Sequence, residues 1–295
     1  MQLIPAKTIL SGYRENCSWF GSNYNMNLYK GCNHGCIYCD SRSACYRIEH
    51  FDEVRAKQNA LTLLERELRN KRKKGIIGMG AMSDPYNPFE QDLCLTRGAL
   101  TLIHRFGFGV AISTKGTLIE RDIDILKAIS QHSPVLIKVT ITSAEDELSR
   151  KVEPYAPLSS KRFSAIERLA ENGIFAGVLM MPLLPFIQDT EENVYRLVEL
   201  AHRHGAKFIY PAFGVTLRQN QRDWYYQKLV SMFPSLKEKY IQTYGNAYEC
   251  RSLNANILWP LFKEQCHKRG LLYKMQEIIK AYKKPQIDSQ LSLFD

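Results

Sequence analysis

The sequence predicts an α/β protein built on a parallel sheet, because strand-like and helix-like segments alternate from residue 25 to residue 213. The strand candidates are short, apolar or β-branched, and mostly bounded by Gly or Pro. They lie at 25–29, 76–80, 109–113, 135–141, 175–181 and 207–213. The helix candidates have apolar residues at helical spacing. They lie at 51–73, 95–105, 121–131, 162–171 and 191–204. Six strands are too few for a complete eight-stranded barrel.

Composition divides the chain into four segments. Residues 1–24 are an N-terminal lead-in, 25–213 the alternating domain, 214–284 a basic, aromatic and mostly helical extension, and 285–295 a flexible tail. With 295 residues, of which 45% are hydrophobic, the chain is long enough to bury a sizeable core. A chain of this size buries roughly three quarters of its unfolded surface.

Composition also narrows the class of protein. No apolar run approaches the ~20 residues that span a membrane, and the N-terminus lacks the apolar region of a signal peptide. Eight cysteines, three of them close together, favour a reducing, cytoplasmic location. The net charge of +10 makes an anionic partner such as DNA or RNA a candidate.

Three cysteines form the most informative motif, a Cys-x3-Cys-x2-Cys run of Cys32, Cys36 and Cys39. Three thiolates this close can hold three irons of a 4Fe–4S cluster. The fourth iron would then be open, which points to catalysis. Gly31 and Gly35 suit a loop that folds tightly around the cluster, because glycine adopts backbone angles that other residues avoid.

Structural zinc is the alternative that the motif leaves open. Zinc sites of this kind usually have four ligands, often as two Cys-x2-Cys pairs. Here the fourth ligand would have to come from Cys17, His34 or Cys45. A disulfide is disfavoured, since nothing in the sequence indicates an oxidising compartment. The spacing favours an iron–sulfur cluster over zinc.

Tyr38 precedes the last cysteine, and the whole Cys-x3-Cys-x-Tyr-Cys run resembles the signature of the radical S-adenosylmethionine (SAM) enzymes. The resemblance implies that the open iron chelates the methionine part of SAM and that Tyr38 packs near the adenine. It implies reductive cleavage of SAM to a 5′-deoxyadenosyl radical, with an electron donor such as flavodoxin or ferredoxin. It also implies a partial (β/α)6 TIM-type barrel, which agrees with the six predicted strands.

Polar residues follow several predicted strands, at the edge of the sheet where such folds bind ligands. Ser83 and Asp84 follow the second strand and could take an ammonium group. Lys115 follows the third strand and could hold a carboxylate. Ordinary turn chemistry is the alternative, because Ser, Asp, Pro and Gly are common in loops. Taken with the cysteine motif, the pattern favours contacts with SAM.

A combination of short motifs resembles the spore photoproduct lyase-like branch, also described as DNA repair photolyase-like. The motifs lie at 29–32 with the cysteine run, 83–86, 114–115 and 153–157. By position, Ser83 and Lys115 match the SAM-binding serine and lysine of the branch. Its repair enzyme carries a hydrogen-donating cysteine after the second strand, where this chain has Ala81, and Cys94 lies well downstream. The substrate is therefore not implied by the resemblance.

Residues 214–284 carry thirteen Lys and Arg against five Asp and Glu, together with eleven aromatic residues. This mixture suits single-stranded or flipped-out nucleic acid, through phosphate attraction and base stacking. A helical cap with aromatic side chains in its core is the alternative that we favour, and the two are compatible. Cys250 and Cys266 are interpreted as buried thiols.

The tail segment from Gln290 to Phe294, Gln-Leu-Ser-Leu-Phe, is similar to the bacterial motif that docks proteins onto the DNA polymerase sliding clamp. Such a peptide inserts Leu and Phe anchors into an apolar pocket. The alternative is that Leu293 and Phe294 pack on their own domain. The sequence favours neither of the two.

The sequence thus predicts a radical SAM enzyme, of lyase or transferase type, that uses a 4Fe–4S cluster to cleave SAM. Its predicted substrate, from which it abstracts hydrogen, is a damaged or modified nucleic-acid base. The alternatives are modification of a protein or small molecule, and a non-catalytic iron–sulfur protein on the sliding clamp. The sequence leaves open the radical quencher, the fate of SAM, the oligomeric state and the roles of Cys17, Cys45, Cys94, Cys250 and Cys266.

Overall fold

The computed structural model describes residues 1–13 and 19–283. Its strands are β1 (Gln2–Ile4), β2 (Leu10–Gly12), β3 (Tyr24–Met26), β4 (Tyr29–Lys30), β5 (Arg55–Lys57), β6 (Ile76–Met79), β7 (Gly109–Thr114), β8 (Val135–Thr140), β9 (Ala176–Leu183), β10 (Phe208–Thr216) and β11 (Glu249–Arg251). Its α-helices are α1 (Ala60–Asn70), α2 (Glu90–Leu93), α3 (Leu95–Arg105), α4 (Ile123–Ser130), α5 (Asp146–Val152), α6 (Ser159–Glu171), α7 (Glu191–Arg203), α8 (Gln221–Met232), α9 (Leu236–Tyr244), α10 (Ala255–Arg269) and α11 (Met275–Tyr282).

The main sheet has eight strands in the order β11-β10-β9-β8-β7-β6-β3-β2. The neighbours from β3 to β10 pair in parallel. At the two edges, β2 and β11 pair antiparallel. The parallel strands are the six that the sequence predicts, each within a few residues, so the partial (β/α)6 barrel is confirmed. The two edge strands were missed, because three-residue strands carry too little pattern to be recognised.

The parallel strands are apolar on both faces, as expected when helices cover one side and a barrel interior the other. On β8, Ile137 and Val139 belong to the main core under the helices. Leu136 belongs to a separate apolar cluster with Ala111 of β7 and Phe208 of β10. Alternate residues of a strand therefore point outward to the helices and inward to the barrel.

The predicted helix at 51–73 is wrong in its first part. The helix α1 begins at Ala60, and residues Arg55–Lys57 form β5 in a separate three-stranded sheet with β1 and β4. Ala56 is fully buried while Arg55 and Lys57 are partly exposed, which is the period of a strand. Asn59 separates the two elements with a positive φ of 53°.

The remaining differences concern short helices. Residues 117–122 form a 3-10 helix, so α4 begins at Ile123 rather than at residue 121. The short helices α2 and α5 lie in segments for which the sequence predicted no helix. The other three predicted helices correspond to α3, α6 and α7 within three residues at either end.

The C-terminal extension is joined to the barrel. The last parallel strand runs to Thr216, and β11 within the extension pairs with it. Tyr225 and Tyr240 are fully buried, and their hydroxyls are hydrogen bonded at 2.8 Å. The hydroxyl of Tyr240 also donates to the carbonyl of Pro185 at 2.9 Å. These aromatic side chains therefore form the core of a cap, while the division into four domains stays a prediction.

Two predictions fall outside the described residues, namely those for Cys17 and for the segment from Gln290 to Phe294. Among the described helices, none is both long and apolar enough to cross a membrane.

Candidate active site

A cavity of about 870 Å³ lies at the carboxyl ends of the parallel strands. Its walls bring together residues from the loop after β4 and from the ends of β6, β7, β8, β9 and β10. All seven predicted site residues line it, namely Cys32, Cys36, Cys39, Tyr38, Ser83, Asp84 and Lys115. The fold thus collects into one space side chains that lie up to 83 positions apart in the sequence.

The cysteine loop folds as the two glycines predict. Gly31 and Gly35 have φ angles of +83° and +69°. A Cβ atom at Gly31 would lie 2.6 Å from the carbonyl oxygen of Glu53, and one at Gly35 would lie 2.7 Å from Cδ2 of Tyr155. Both positions therefore require glycine for backbone conformation and for space.

The three thiols lie in one wall of the cavity. Cys36 is buried, whereas Cys32 and Cys39 are partly accessible. Burial raises the pKa of Cys36 to about 12 and the pKa of Cys32 and Cys39 to about 11. Metal coordination requires the thiolate and so displaces these protons. Within residues 1–13 and 19–283, no three His, Cys, Asp or Glu side chains meet closely enough to hold a single metal ion.

Two of the candidate fourth ligands for zinc are engaged elsewhere. The buried His34 lies with Nδ1 3.5 Å from a carboxylate oxygen of Asp84. The exposed Cys45 accepts a hydrogen bond from Nη1 of Arg218 at 3.2 Å. Cys250 and His34 also line the cavity, but only the three motif thiols lie together on one loop, which fits an iron–sulfur cluster with one open iron.

A buried ion pair supports the tyrosine of the motif. Tyr38 donates to one carboxylate oxygen of Glu153, and Nη2 of Arg162 lies 2.5 Å from the other. Arg162 is completely buried and also donates to the carbonyls of Pro157 and Thr140, at 2.6 and 2.8 Å. Burial raises the pKa of Glu153, but Arg162, Lys115 and the hydrogen bond from Tyr38 together lower it by more, so the carboxylate stays charged.

Sequence reasoning missed this support. It noted residues 153–157 only as part of a resemblance and assigned no function to Arg162. A signal was present, because Arg162 lies on the buried face of α6 beside Phe163 and Ile166. A cation on an apolar helix face predicts a buried partner. The partner itself could not be read from the sequence, since it lies in the preceding loop.

Asp84 organises the loop that carries Lys115. Its carboxylate accepts hydrogen bonds from the hydroxyl of Thr114 at 2.6 Å, the backbone N–H of Lys115 at 2.7 Å and the backbone N–H of Tyr86 at 2.9 Å. The hydroxyl of Ser83 donates to the carbonyl of Gly31 and links this loop to the cysteine loop. The carboxylate of Asp84 is thus largely occupied by the protein itself.

The amine of Lys115 lies 5.6 Å from the ring centre of Tyr38. Burial lowers the pKa of Lys115, but Cys36 and Glu153 raise it by more, so the net shift is upward. The side chain is therefore a fixed cation in the wall of the cavity, suited to an anionic group of a ligand.

Helix α8 of the extension covers the cysteine loop. The side-chain amide of Gln221 donates to the carbonyl of Tyr38 at 2.9 Å, and the indole of Trp224 donates to the carbonyl of Cys36 at 3.4 Å. The same helix packs Tyr225 and Leu229 in one apolar cluster with Cys36, Ile37 and Tyr38, so the cap helps to hold the loop in place.

Comparison with known proteins agrees with this arrangement. The family model described as Radical SAM superfamily matches residues 26–207. An uncharacterized protein of Mycobacterium tuberculosis is 30% identical over 228 residues, covering 75% of this chain and 67% of the relative. An uncharacterized protein of Methanocaldococcus jannaschii is 35% identical over 174 residues, covering 58% and 64%.

Solved structures share the fold at low sequence identity. A spore photoproduct lyase mutant with bound AdoMet and dinucleoside spore photoproduct matches with a TM-score of 0.64 at 15% identity, covering 92% of this chain and 82% of that one. A radical SAM methyltransferase from Kitasatospora setae matches with a TM-score of 0.56 at 13% identity, covering 85% and 54%. The family model matches more than half of the residues of this chain. The chain therefore belongs to the radical SAM superfamily and is a radical SAM enzyme.

Proposed function

We propose that Cys32, Cys36 and Cys39 hold a 4Fe–4S cluster and that SAM binds beside it, against Tyr38, Ser83 and Lys115. The observation that carries this proposal is that all of these side chains line one cavity. Such a cluster, when bound and reduced, supplies the electron that cleaves SAM to methionine and a 5′-deoxyadenosyl radical. An external one-electron donor such as flavodoxin or ferredoxin provides that electron, in a reducing cytoplasm.

The residues of the chain bind and orient the cofactor. Lys115 offers a fixed cation to the SAM carboxylate, and Tyr38 is held by Glu153 at the place where the adenine would pack. Asp84 positions the backbone of Lys115. Direct contact between Asp84 and the SAM ammonium stays a prediction.

We propose a nucleic-acid base, damaged or modified, as the substrate. The accessible residues that line the cavity include aromatic and basic side chains, namely Tyr13, Trp19, Tyr46, Arg218 and Arg251. The two arginines are paired with Asp40 and Glu249, which a phosphate could displace. Aromatic rings stack on bases and arginines attract phosphates. A structural neighbour, spore photoproduct lyase, was solved with a dinucleoside photoproduct bound. DNA repair of lyase type is therefore the reaction class that this geometry supports best.

The first experiment tests SAM cleavage. Protein reconstituted anaerobically with iron and sulfide is mixed with dithionite and SAM, and 5′-deoxyadenosine is measured with and without single-stranded or ultraviolet-irradiated DNA. We expect product in the wild type and in Cys94→Ala, whose thiol is exposed and outside the cavity. Cys36→Ala should give none. Product in Cys36→Ala equal to that of the wild type would refute the cluster assignment.

The second experiment tests the substrate class. Binding of single-stranded DNA should weaken steeply with salt, and Arg251→Ala should weaken it by several fold, whereas Arg66→Ala on the outer helix α1 should not. SAM cleavage without any DNA or RNA binding would favour the alternative, a protein or small-molecule substrate. Docking on the sliding clamp through Gln290 to Phe294 stays a separate prediction, since those residues lie outside the described part of the chain.

A further inference from the structure

Lys138 is a buried lysine of the barrel that has no role in the proposed cofactor site. It lies on β8 between Ser113 of β7 and Gly177 of β9. The residue is only 2% exposed, yet its side chain lines the same cavity as the motif cysteines. Because Lys138 pairs with Ser113, it lies two residues deeper along the sheet than Lys115, a step of about 7 Å.

Lys138 has no charged partner among the described residues. The contact found for its amine is the ring of Phe20, whose centre lies 4.9 Å away. The groups that face it from the neighbouring elements are Phe20, Ser113 and Gly177, and none of them is charged. Burial lowers the pKa of Lys138 to about 7. A buried amine without a charged partner has hydrogen-bonding capacity that the protein leaves unused, and an acceptor on a ligand in the cavity would satisfy it.

Polar but uncharged residues surround this deeper part of the cavity. By strand register Asn25 lies two residues deeper than Lys138 and Ser113 lies beside it, and Ser22 lines the cavity with them. Of the cavity's other charged side chains, Lys115 lies nearer the carboxyl ends of the strands, and the more accessible Arg218 and Arg251 are paired with Asp40 and Glu249. A ligand that reaches the interior would therefore meet one cation and several hydroxyl or amide groups.

We propose that Lys138 binds an oxygen acceptor of the substrate, either a base carbonyl or an anionic group, at the end that enters the barrel beyond SAM. The inference rests on the proposed function only in placing the substrate in this cavity. A charge-assisted hydrogen bond at the buried end would fix the orientation of the substrate. The atom that gives up hydrogen would then be held beside the SAM-binding side chains.

The test observes the lysine itself. Protein with isotope-labelled lysine ε-carbons is reconstituted anaerobically and studied by NMR, and the Lys138 resonance is assigned by its absence in Lys138→Met. Lys138→Arg serves the same purpose if the methionine variant does not fold. Thymidine, thymidine 5′-monophosphate and inorganic phosphate are added separately. Lys127→Met, which removes an exposed lysine of α4, is the control.

We expect the Lys138 resonance to titrate near pH 7 without a probe. A response to both thymidine and its monophosphate indicates a base carbonyl. A response to phosphate and the monophosphate, with a midpoint raised by about one pH unit or more, indicates an anionic group. Lys138→Met should weaken binding of the responding probe about tenfold, a loss of ~1.4 kcal/mol, and Lys127→Met should not.

If none of the three probes moves the Lys138 resonance, the inference is overturned. The same holds if the bound probe has equal affinity for Lys138→Met. Neither result bears on SAM cleavage, which is measured independently with Cys36→Ala. A response to phosphate alone would support the acceptor site while contradicting a nucleoside as the group bound there.

Discussion

At the cysteine end of the cavity the buried carboxylates are paired within the protein, whereas in the barrel interior Lys138 has no charged partner among the described residues. Glu153 is bound by Tyr38 and Arg162, and Asp84 accepts three hydrogen bonds. A satisfied network holds its members rigidly, while an unpaired polar group has its full bonding capacity left for a ligand. The difference separates a rigid support for the proposed cofactor site from the proposed substrate site.

The largest effect expected from this comparison concerns the paired region. Arg162→Met leaves Glu153 charged and unpaired in a buried position, which should lower the free energy of unfolding by about 3–5 kcal/mol. Denaturant unfolding measures it. Lys151→Ala removes an exposed pair with Glu147 and should leave the free energy of unfolding almost unchanged.

A double variant sharpens this result. Arg162→Met combined with Glu153→Gln removes both charges, so it should be more stable than Arg162→Met alone. If the double variant is the less stable of the two, the unpaired carboxylate is not the source of the loss. The stability of the cysteine end would then not depend on the pairing of Glu153 with Arg162.

The second prediction concerns how the free energy of unfolding depends on pH through Lys138. The pKa of Lys138 falls from an ordinary value of 10.5 in the unfolded chain to about 7 in the folded protein. Between these values the unfolded state binds more protons, so stability rises with pH. The stability of the wild type relative to Lys138→Met should be greatest above the ordinary lysine pKa and should be lost as pH falls toward about 7.

The expected change is about 2 kcal/mol between about pH 7 and about pH 9. The free energy of unfolding is measured for both proteins in buffers without phosphate. Subtracting the two values cancels the contributions of the other titrating groups. A difference that is independent of pH would mean that Lys138 has a charged partner, and the contrast between the two regions would disappear.

The smallest effect tests how tightly the cysteine loop is packed. Gly35 and Gly107 share a φ of +69°, but an added Cβ at Gly107 meets nothing within 4 Å. Gly107→Ala should therefore cost only the backbone strain, roughly 1–2 kcal/mol. Gly35→Ala should cost about 1 kcal/mol more, because its Cβ meets Tyr155.

A further substitution identifies the source of that excess. Tyr155 is 73% exposed, so Tyr155→Ala is expected to be tolerated by itself. Adding it to Gly35→Ala should remove most of the excess over Gly107→Ala, leaving only the contact of the new Cβ with Cγ of Pro154 at 3.1 Å. An unchanged excess in the double variant would show that another contact of the loop is responsible.

Local pattern was sufficient to predict the six parallel strands and the radical SAM family. The six parallel strands follow from short apolar runs between Gly and Pro, and the thiols follow from the spacing of Cys32, Cys36 and Cys39. The segment 51–59 was assigned wrongly because a few residues of mixed polarity fit a helix or a strand equally well. Residues 55–57 of this segment form a strand because they pair with β1 and β4, and that pairing is a tertiary contact.

The sequence by itself determined the α/β class, the six parallel strands and the predicted ligand set, because periodicity and cysteine spacing are properties of neighbouring residues. Only the tertiary structure decided that Glu153 and Arg162 support Tyr38, that Asp84 is occupied by the Lys115 loop, and that Lys138 faces the cavity. These facts depend on which distant segments meet and on which buried charges find partners. Both are set by packing across the sheet, which no local pattern contains.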